Sequence, residues 1–504
     1  MELQSFEHQQ NKLSWRFEIM RIKELSKILP SPIRQKLKHF YYGAAPLQFR
    51  YGKIFRESYN FLCKSQWWSK KELEEYQMDE LAKLLHHAYE NVPYYKRVFN
   101  ERGIKPRDIQ NFDDLKRLPY LTKDEVRNNL EDLIAKNIPK ENMAYVTTGG
   151  TSGKPLGIYI EKKNNRIRSA FDWRHWNWMG YQFYDKCVVL RGNLINKKGN
   201  NEPAWWEYYV EKNYLILSSY DMTNENLPKY VEKIEEYNPI IMRGYPSTLE
   251  VLAKCIKENN LKINTKGNIK AIATSSENFY QGQRRLIEDV FKCPIFDLYG
   301  NSEQTVRLGE CEKHEGYHVF LENSYVEIIN KEGKKVTREG EIGEIVGTGF
   351  TNYAVPLINY KTEDFAIFTN RTCSCGRKGL PLVKEIKGRW FQERIITKNG
   401  NYILITAMNS HSDIFDNVKQ FQYYQDDVKK VILRIVKKDT YSDADTRKIL
   451  NELQSKLKNQ IKLEIQFFPE IPRTDRGKHK FLIQKLPMER GYGEETFSWK
   501  NENT

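Results

Sequence analysis

Residues 147 to 157 read Thr147-Thr148-Gly149-Gly150-Thr151-Ser152-Gly153-Lys154-Pro155-Leu156-Gly157, four glycines and four hydroxyls in eleven positions. Backbone N–H groups left open by glycine, joined by hydroxyls and one lysine, can wrap phosphate oxygens. A turn between strands also uses Gly and Ser, but needs fewer of them. The segment is not a Walker loop, because the position five before Gly153 is Thr148 and Lys154 is followed by Pro155, where that motif requires Gly and then Ser or Thr.

A second group of chemistry-bearing residues is rich in sulfur. Cys373 and Cys375 flank Ser374 in a tight turn, and Cys311 lies upstream with His314 and His318 following it. Four sulfur and imidazole ligands suit tetrahedral zinc, whereas cysteines without a metal behave as small buried hydrophobes. Further polar segments come in the order Ser275-Ser276-Glu277, Tyr299-Gly300-Asn301-Ser302-Glu303, Tyr360-Lys361-Thr362-Glu363-Asp364, Gly388-Arg389, and Arg473-Thr474-Asp475-Arg476-Gly477-Lys478.

The elements that position these residues follow from hydrophobic period. From about residue 140 to 385, β-rich runs alternate with helical patterns, as in Ile269 to Ala273, then Gln283 to Phe291, then Pro294 to Tyr299. That alternation predicts an α/β fold with a mainly parallel sheet, which places ligand loops at the strands' carboxyl ends. Upstream, Leu81, Leu84, Leu85 and Ala88 form one helical stripe ended by Pro93. Downstream, Val431, Leu433 and Ile435 alternate, Leu450, Leu453 and Leu457 repeat at helical spacing, and Ile461, Leu463, Ile465 and Phe467 alternate again. The expected division is a helical N-terminal extension packed on the main body at 1–110, a large domain at 111–388, and a small mobile α+β lid at 389–504.

With 504 residues, 39% hydrophobic content and 81 − 66 = +15 net charge, the chain has ample core material and an excess of cations for anionic ligands. The same excess is met by a solvated lysine-rich surface. No run approaches a membrane span and the first residues lack a signal-peptide pattern; seven cysteines without an export signal point to a reducing, cytoplasmic setting. Arg21 to Phe40 is basic and amphipathic, which suits either docking on the inner face of an anionic membrane or packing on the main body.

Taken in order, these segments resemble the acyl-adenylate-forming superfamily, and within it the phenylacetate–CoA ligase family and its capsular-polysaccharide, CapK-like branch. Trp67-Trp68-Ser69, Val92-Pro93-Tyr94-Tyr95, Leu118-Pro119 with Leu121-Thr122-Lys123, Ala407-Met408-Asn409 and Phe415-Asp416-Asn417-Val418 extend the resemblance over most of the chain. It implies a large multi-layer N-terminal domain with a small mobile C-terminal one. ATP would be held by Thr147, Thr148, Gly149, Gly150, Thr151, Ser152, Gly153 and Lys154 at its β- and γ-phosphates, with Glu303 positioning Mg²⁺.

Within the same resemblance, Asp364 would accept from both ribose hydroxyls, and Tyr299 with Gly300, Asn301 and Ser302 would lie near the adenine, opposite Ser276 and Glu277. Arg389 would belong to the interdomain hinge, and Lys478 would bridge carboxylate and α-phosphate as the catalytic lysine. The acid would lie between Tyr245, Ser275 and the Tyr299 loop, and Cys311, His318, Cys373 and Cys375 would hold a structural zinc, with His314 as the substitute ligand. Two departures stand out: Lys154 precedes the loop proline instead of following it, and Glu393 is the nearest carboxylate after Gly388-Arg389.

The activity implied is ATP-dependent activation of a small carboxylic acid, then acyl transfer to CoA, a carrier thiol or an amino sugar in surface-polysaccharide assembly. Trp173, Trp176, Trp178, Trp205 and Trp206 suit either an aromatic-walled acid site or core packing, and Arg191 and Arg243 are carboxylate-binding candidates. Two other classes compete. A catalytically silent scaffold of the same fold is opposed by the presence of Glu303, Asp364 and Lys478. A zinc-containing nucleic-acid binder is opposed by dispersed lysines and the lack of a finger or RNA-recognition signature, so no nucleic-acid partner is expected.

Overall fold

The computed structural model describes residues 47–147, 156–191, 205–219, 225–264, 267–277, 282–387, 394–398, 402–405, 414–457, 460–471 and 482–486, with isolated residues between these stretches. Its centre is a twelve-stranded sheet. From one edge the strands run Trp206–Tyr209, Tyr214–Leu217, Cys187–Leu190, Ile241–Gly244, Ala271–Ser275, Ile295–Gly300, Arg307–Glu310, Tyr317–Val319, Leu382–Lys387, Tyr360–Phe368, Ile342–Gly349 and Ser324–Ile329.

The sheet is not mainly parallel, contrary to the sequence expectation. Parallel pairing is confined to the five neighbours from Tyr214–Leu217 to Ile295–Gly300; the remaining pairings are antiparallel. The cause is the connections. Helices Leu227–Tyr237, Pro246–Glu258 and Gln283–Phe291 supply the crossovers that parallel strands require. After Gly300 the links between successive strands contain no helix up to Lys387. Helix Gln283–Phe291 keeps its expected bounds, and the strands beside it shift by a residue or two.

Helix Lys70–Asn91 starts at a capping box in which Ser69 and Glu72 satisfy each other's backbone N–H groups. It buries the predicted stripe Leu81, Leu84, Leu85 and Ala88 and stops before Pro93, which opens the next helix. The helical extension packs on the body: Gln77 donates to the Leu321 and Ser324 carbonyls, and Phe55, Leu62 and Leu73 join the core beneath helix Asn164–Trp178.

Near the C-terminus, hairpin Val418–Asp427 with Lys430–Lys437, helix Asp443–Leu457 and the parallel strand Lys462–Phe467 form the predicted β-α-β unit, joined by strand Leu482–Gln484. Its apolar cluster is built of residues from Ile395 to Leu482 alone. We propose the domain boundary at Gly388-Arg389, which lies outside the described residues, as does the basic stretch 21–40 apart from Ile33. No helix among the described residues is long and apolar enough to cross a membrane.

Candidate active site

Strands Cys187–Leu190, Ile241–Gly244, Ala271–Ser275 and Ile295–Gly300 are adjacent and parallel. At their carboxyl ends stand Arg191, Tyr245, Ser275 to Glu277, and Tyr299 to Glu303, the location at which such sheets bind ligands. Arg191 Nη2 donates to Ser275 Oγ at 2.7 Å, and its guanidinium lies 5.3 Å from the Tyr245 ring centre. Glu277 is buried while Ser276 beside it is exposed. Ser276, Gln304 and Glu363 all hold positive φ, at 72°, 60° and 62°. Side chains rarely adopt that conformation, and it gathers at ligand sites.

Asp364 reaches the same place from the antiparallel half. Glu344 pairs with Phe365 and Val346 with Lys361, so Thr362, Glu363 and Asp364 bulge opposite Ile345 and re-aim their side chains. Thr362 Oγ1 donates to the Ile345 carbonyl at 2.8 Å and accepts from the Asp364 N–H at 3.1 Å, fixing the bulge. Tyr299 then donates to Asp364 Oδ2 at 2.8 Å, and buried Tyr360 donates to Glu303 Oε1 at 2.7 Å. Asn301 Oδ1 accepts the Thr305 and Val306 N–H groups at 2.9 and 3.2 Å, holding the turn that contains Ser302 and Glu303. Lys123, from the Leu121-Thr122-Lys123 element, pairs with Glu363 at 3.2 Å.

Thr147 ends strand Met143–Thr147 and pairs with Gly157 at the start of the next strand, so the Gly-rich segment joins two antiparallel strands. A Cβ at Gly157 would fall 1.7 Å from the Tyr145 hydroxyl, so a larger residue there would displace that exposed ring. Thr148 to Lys154, Arg389 and Lys478 lie outside the described residues.

The sulfur-rich residues form one cluster. The ligand atoms of Cys311, His318, Cys373 and Cys375 all lie within 4.8 Å of one another. His318 Nδ1 is 3.1 Å from the Leu380 carbonyl, leaving Nε2 toward the sulfurs, 3.4 Å from Cys375 Sγ. Backbone N–H groups of Lys313 and Arg377 donate to Cys311 and Cys375 sulfurs at 3.4 Å each. Burial disfavours charge on His318, but contact with Cys311 and Cys375 raises it to about 9; Cys375, against its own burial, is drawn down to about 6 by His318 and Arg377. Three thiols and one imidazole, with the imidazole's outer nitrogen engaged, fit tetrahedral Zn²⁺. His314 is not part of the group: it lies 3.3 Å from Arg284 and against Phe296.

The tryptophans divide. Trp173 stacks on Tyr181 in the core, Trp178 donates to Gln66 at 2.7 Å, and Trp205 stacks on Tyr230. Trp176 instead faces Arg243 at 3.9 Å, and Trp206 is exposed beneath Lys233. Sequence reasoning missed Asp172 and Arg307, which are hydrogen-bonded to each other beside this group. For Asp172 the signal was the four-residue spacing Arg168, Asp172, Trp176 on one helix; Arg307 carried none.

Residues 395–485 match the CapK C-terminal domain family. Protein CapK of Staphylococcus aureus is 26% identical over 440 residues, covering 82% of this chain and 90% of that protein. A phenylacetate–coenzyme A ligase of Escherichia coli is 26% identical over 359 residues, 70% of this chain and 77% of that protein. A 2-hydroxyisobutyryl-CoA ligase, solved with 2-HIB-AMP and CoA, superposes with a TM-score of 0.56 at 18% identity, covering 87% and 93% of the two chains. The fold is that of the acyl-adenylate-forming ligases. Within that class the chain is similar to the phenylacetate–CoA ligase family and its CapK-like branch.

Proposed function

We propose that this chain is an ATP-dependent ligase that joins a small carboxylic acid to AMP with release of pyrophosphate, then passes the acyl group to an acceptor. The observation that carries this reading is the meeting of Tyr299–Asp364 and Tyr360–Glu303 at the carboxyl ends of the parallel strands, in a fold shared with acyl-adenylate-forming ligases. An ionised carboxylate with one oxygen already engaged by a tyrosine is oriented to accept from ribose hydroxyls, which is the role we assign to Asp364. Glu303 would hold Mg²⁺, which screens the phosphate charge that builds as the acid's oxygen bonds to the α-phosphorus and the bond to pyrophosphate breaks.

Thr147 to Lys154 would bind the β- and γ-phosphates, Lys478 would bridge the two anions, and Arg389 would serve the hinge. Ser276 and Glu277 would face the base from the side opposite Tyr299, Gly300, Asn301 and Ser302. Tyr245 and Ser275 would border the acid. Cys311, His318, Cys373 and Cys375 would hold a structural Zn²⁺ that pins two loops. The E. coli relative is named for a coenzyme A ligase, which supports CoA here; a carrier thiol or amino sugar in surface-polysaccharide assembly is the alternative that the sequence resemblance implies. ATP–pyrophosphate exchange against aryl, hydroxy, amino and dicarboxylic acids tests the first half-reaction. Acid-dependent exchange is expected, and its absence with every acid while ATP still binds would favour a silent scaffold.

A further inference from the structure

The sheet face beneath helix Asn164–Trp178 carries more cations than adenylation uses. Val189 pairs with Arg243, and Arg243 with Ala273; side chains two residues apart share a face, so Arg191 and Ser275 join them. The helix turns Asp172 and Trp176 toward this face. Arg243 lies 3.9 Å from the Trp176 ring centre with its Nη1 3.3 Å from the Tyr214 hydroxyl. Arg191 donates to Ser275, and its Nε is buried without a hydrogen-bond partner among the described residues. Arg307 enters from strand Arg307–Glu310, two strands beyond Ala271–Ser275, and holds Asp172.

Asp172 thus faces the guanidiniums of Arg307, Arg168 and Arg243, and Arg307 occupies it. Burial works against ionisation of Asp172, yet Arg307, Arg168 and Arg243 keep its carboxyl below the ordinary range. Among the described residues Arg191 and Arg243 form no ion pair; their partners are hydroxyls and aromatic faces. Half-buried guanidiniums left with neutral partners are costly unless a ligand supplies the anion, and their planar forks match an oxoanion.

We propose that the acid activated here carries a second oxoanion, remote from the carboxylate to be adenylated, and that Arg243 holds it against Trp176 and Tyr214. The proposal rests on the adenylation reading. Depth assigns the second group rather than the reacting one: Arg243 is in register with Ala273 and through it with Phe296. Phe296 precedes Tyr299 by about 10 Å of strand at ~3.3 Å per residue.

The test compares matched acids with the full chain, reading binding by calorimetry and exchange in parallel: hexanoate against adipate, and phenylacetate against 4-carboxyphenylacetate and 4-phosphonophenylacetate. The dianionic members should bind about tenfold or more tightly than their partners, the last two telling a carboxylate from a phosphoryl group. Arg243→Gln should abolish that preference while changing the monoanionic affinities by less than about threefold. Arg243→Lys, which keeps charge but not the fork, should retain part of the preference, with thermal melts verifying that both variants fold. Equal affinity within each pair overturns the proposal, as does an Arg243→Gln variant that weakens both members alike. A dianionic preference without exchange for any acid leaves the anion site standing and overturns the adenylation reading instead.

Discussion

The Tyr299 hydroxyl donates to Asp364 Oδ2 across 2.8 Å, tying the last parallel strand to a bulge in the antiparallel half of the sheet. Neither element alone holds this pair. In the adenylation reading the strand end would supply the aromatic face and the bulge the acceptor for a nucleotide.

If Asp364 binds ribose, Asp364→Ala removes hydrogen bonds to a charged acceptor, worth roughly 1.5–3 kcal/mol. ATP affinity measured by calorimetry should fall about 10- to 100-fold. Tyr299→Phe leaves the carboxylate in place but unsteered, so its loss should be smaller.

Glu303 and Lys478 should act on rate more than on binding. Glu303→Gln or Lys478→Ala should each lower pyrophosphate exchange by roughly 10²-fold, about 2.7 kcal/mol of transition-state stabilisation. ATP affinity measured without Mg²⁺ should change far less. Equal losses in affinity and exchange would mark either residue as an ordinary ground-state contact.

Local order was legible in the sequence and long-range pairing was not. The stripe Leu81 to Ala88, the helix Gln283–Phe291 and the C-terminal β-α-β unit each follow from a period read within one element. The switch to antiparallel pairing after Gly300 depends on which distant strands meet, and a β-rich run has the same composition in either setting. The same limit applies to the site. Asp364 and Glu303 stood out as carboxylates in polar segments, but the tyrosines that orient them, the bulge at Thr362 to Asp364 and the Arg307–Asp172 pair are products of tertiary contact.

The cysteine cluster should retain about one zinc per chain by elemental analysis, given three thiols and one imidazole already within reach of one ion. Cys373→Ser should lower both metal content and Tm. Because the cluster would pin loops and not touch the acid, exchange activity per folded molecule should be unchanged well below the new Tm.

Asp297 should make stability depend on pH in an unusual direction. Burial first, and then the neighbouring Glu310, push its carboxyl up to about 6, although Thr274 and Tyr317 donate to it. An unfolded aspartate titrates near 4, so between about pH 4 and 6 the folded chain binds more protons. This group's contribution to stability therefore falls as pH rises through that window and stays at its lowest above it. Asp297→Asn removes the charge that is costly there. The variant's stability relative to the native chain, from urea denaturation at successive pH values, should decline as pH falls from 7 to 4.

Arg174 and Glu322 test the join between the helical extension and the body. Their side chains are 1% and 0% exposed, 2.6 Å apart, and Ser65 of the extension also donates to Glu322. Among the described residues Arg174 Nε and Nη2 and Glu322 Oε2 have no hydrogen-bond partner, while the guanidinium lies 4.2 Å from the Phe320 ring centre. Desolvating both ions consumes most of what their attraction returns, so the pair should add little net stability. Removing one partner strands the other charge in an apolar shell. Arg174→Met and Glu322→Gln should each cost about 3–5 kcal/mol in urea denaturation, whereas the double variant should lie much closer to the native chain. If the two single losses simply add in the double variant, the ions are not coupled and the pair plays no part as a unit in holding the extension.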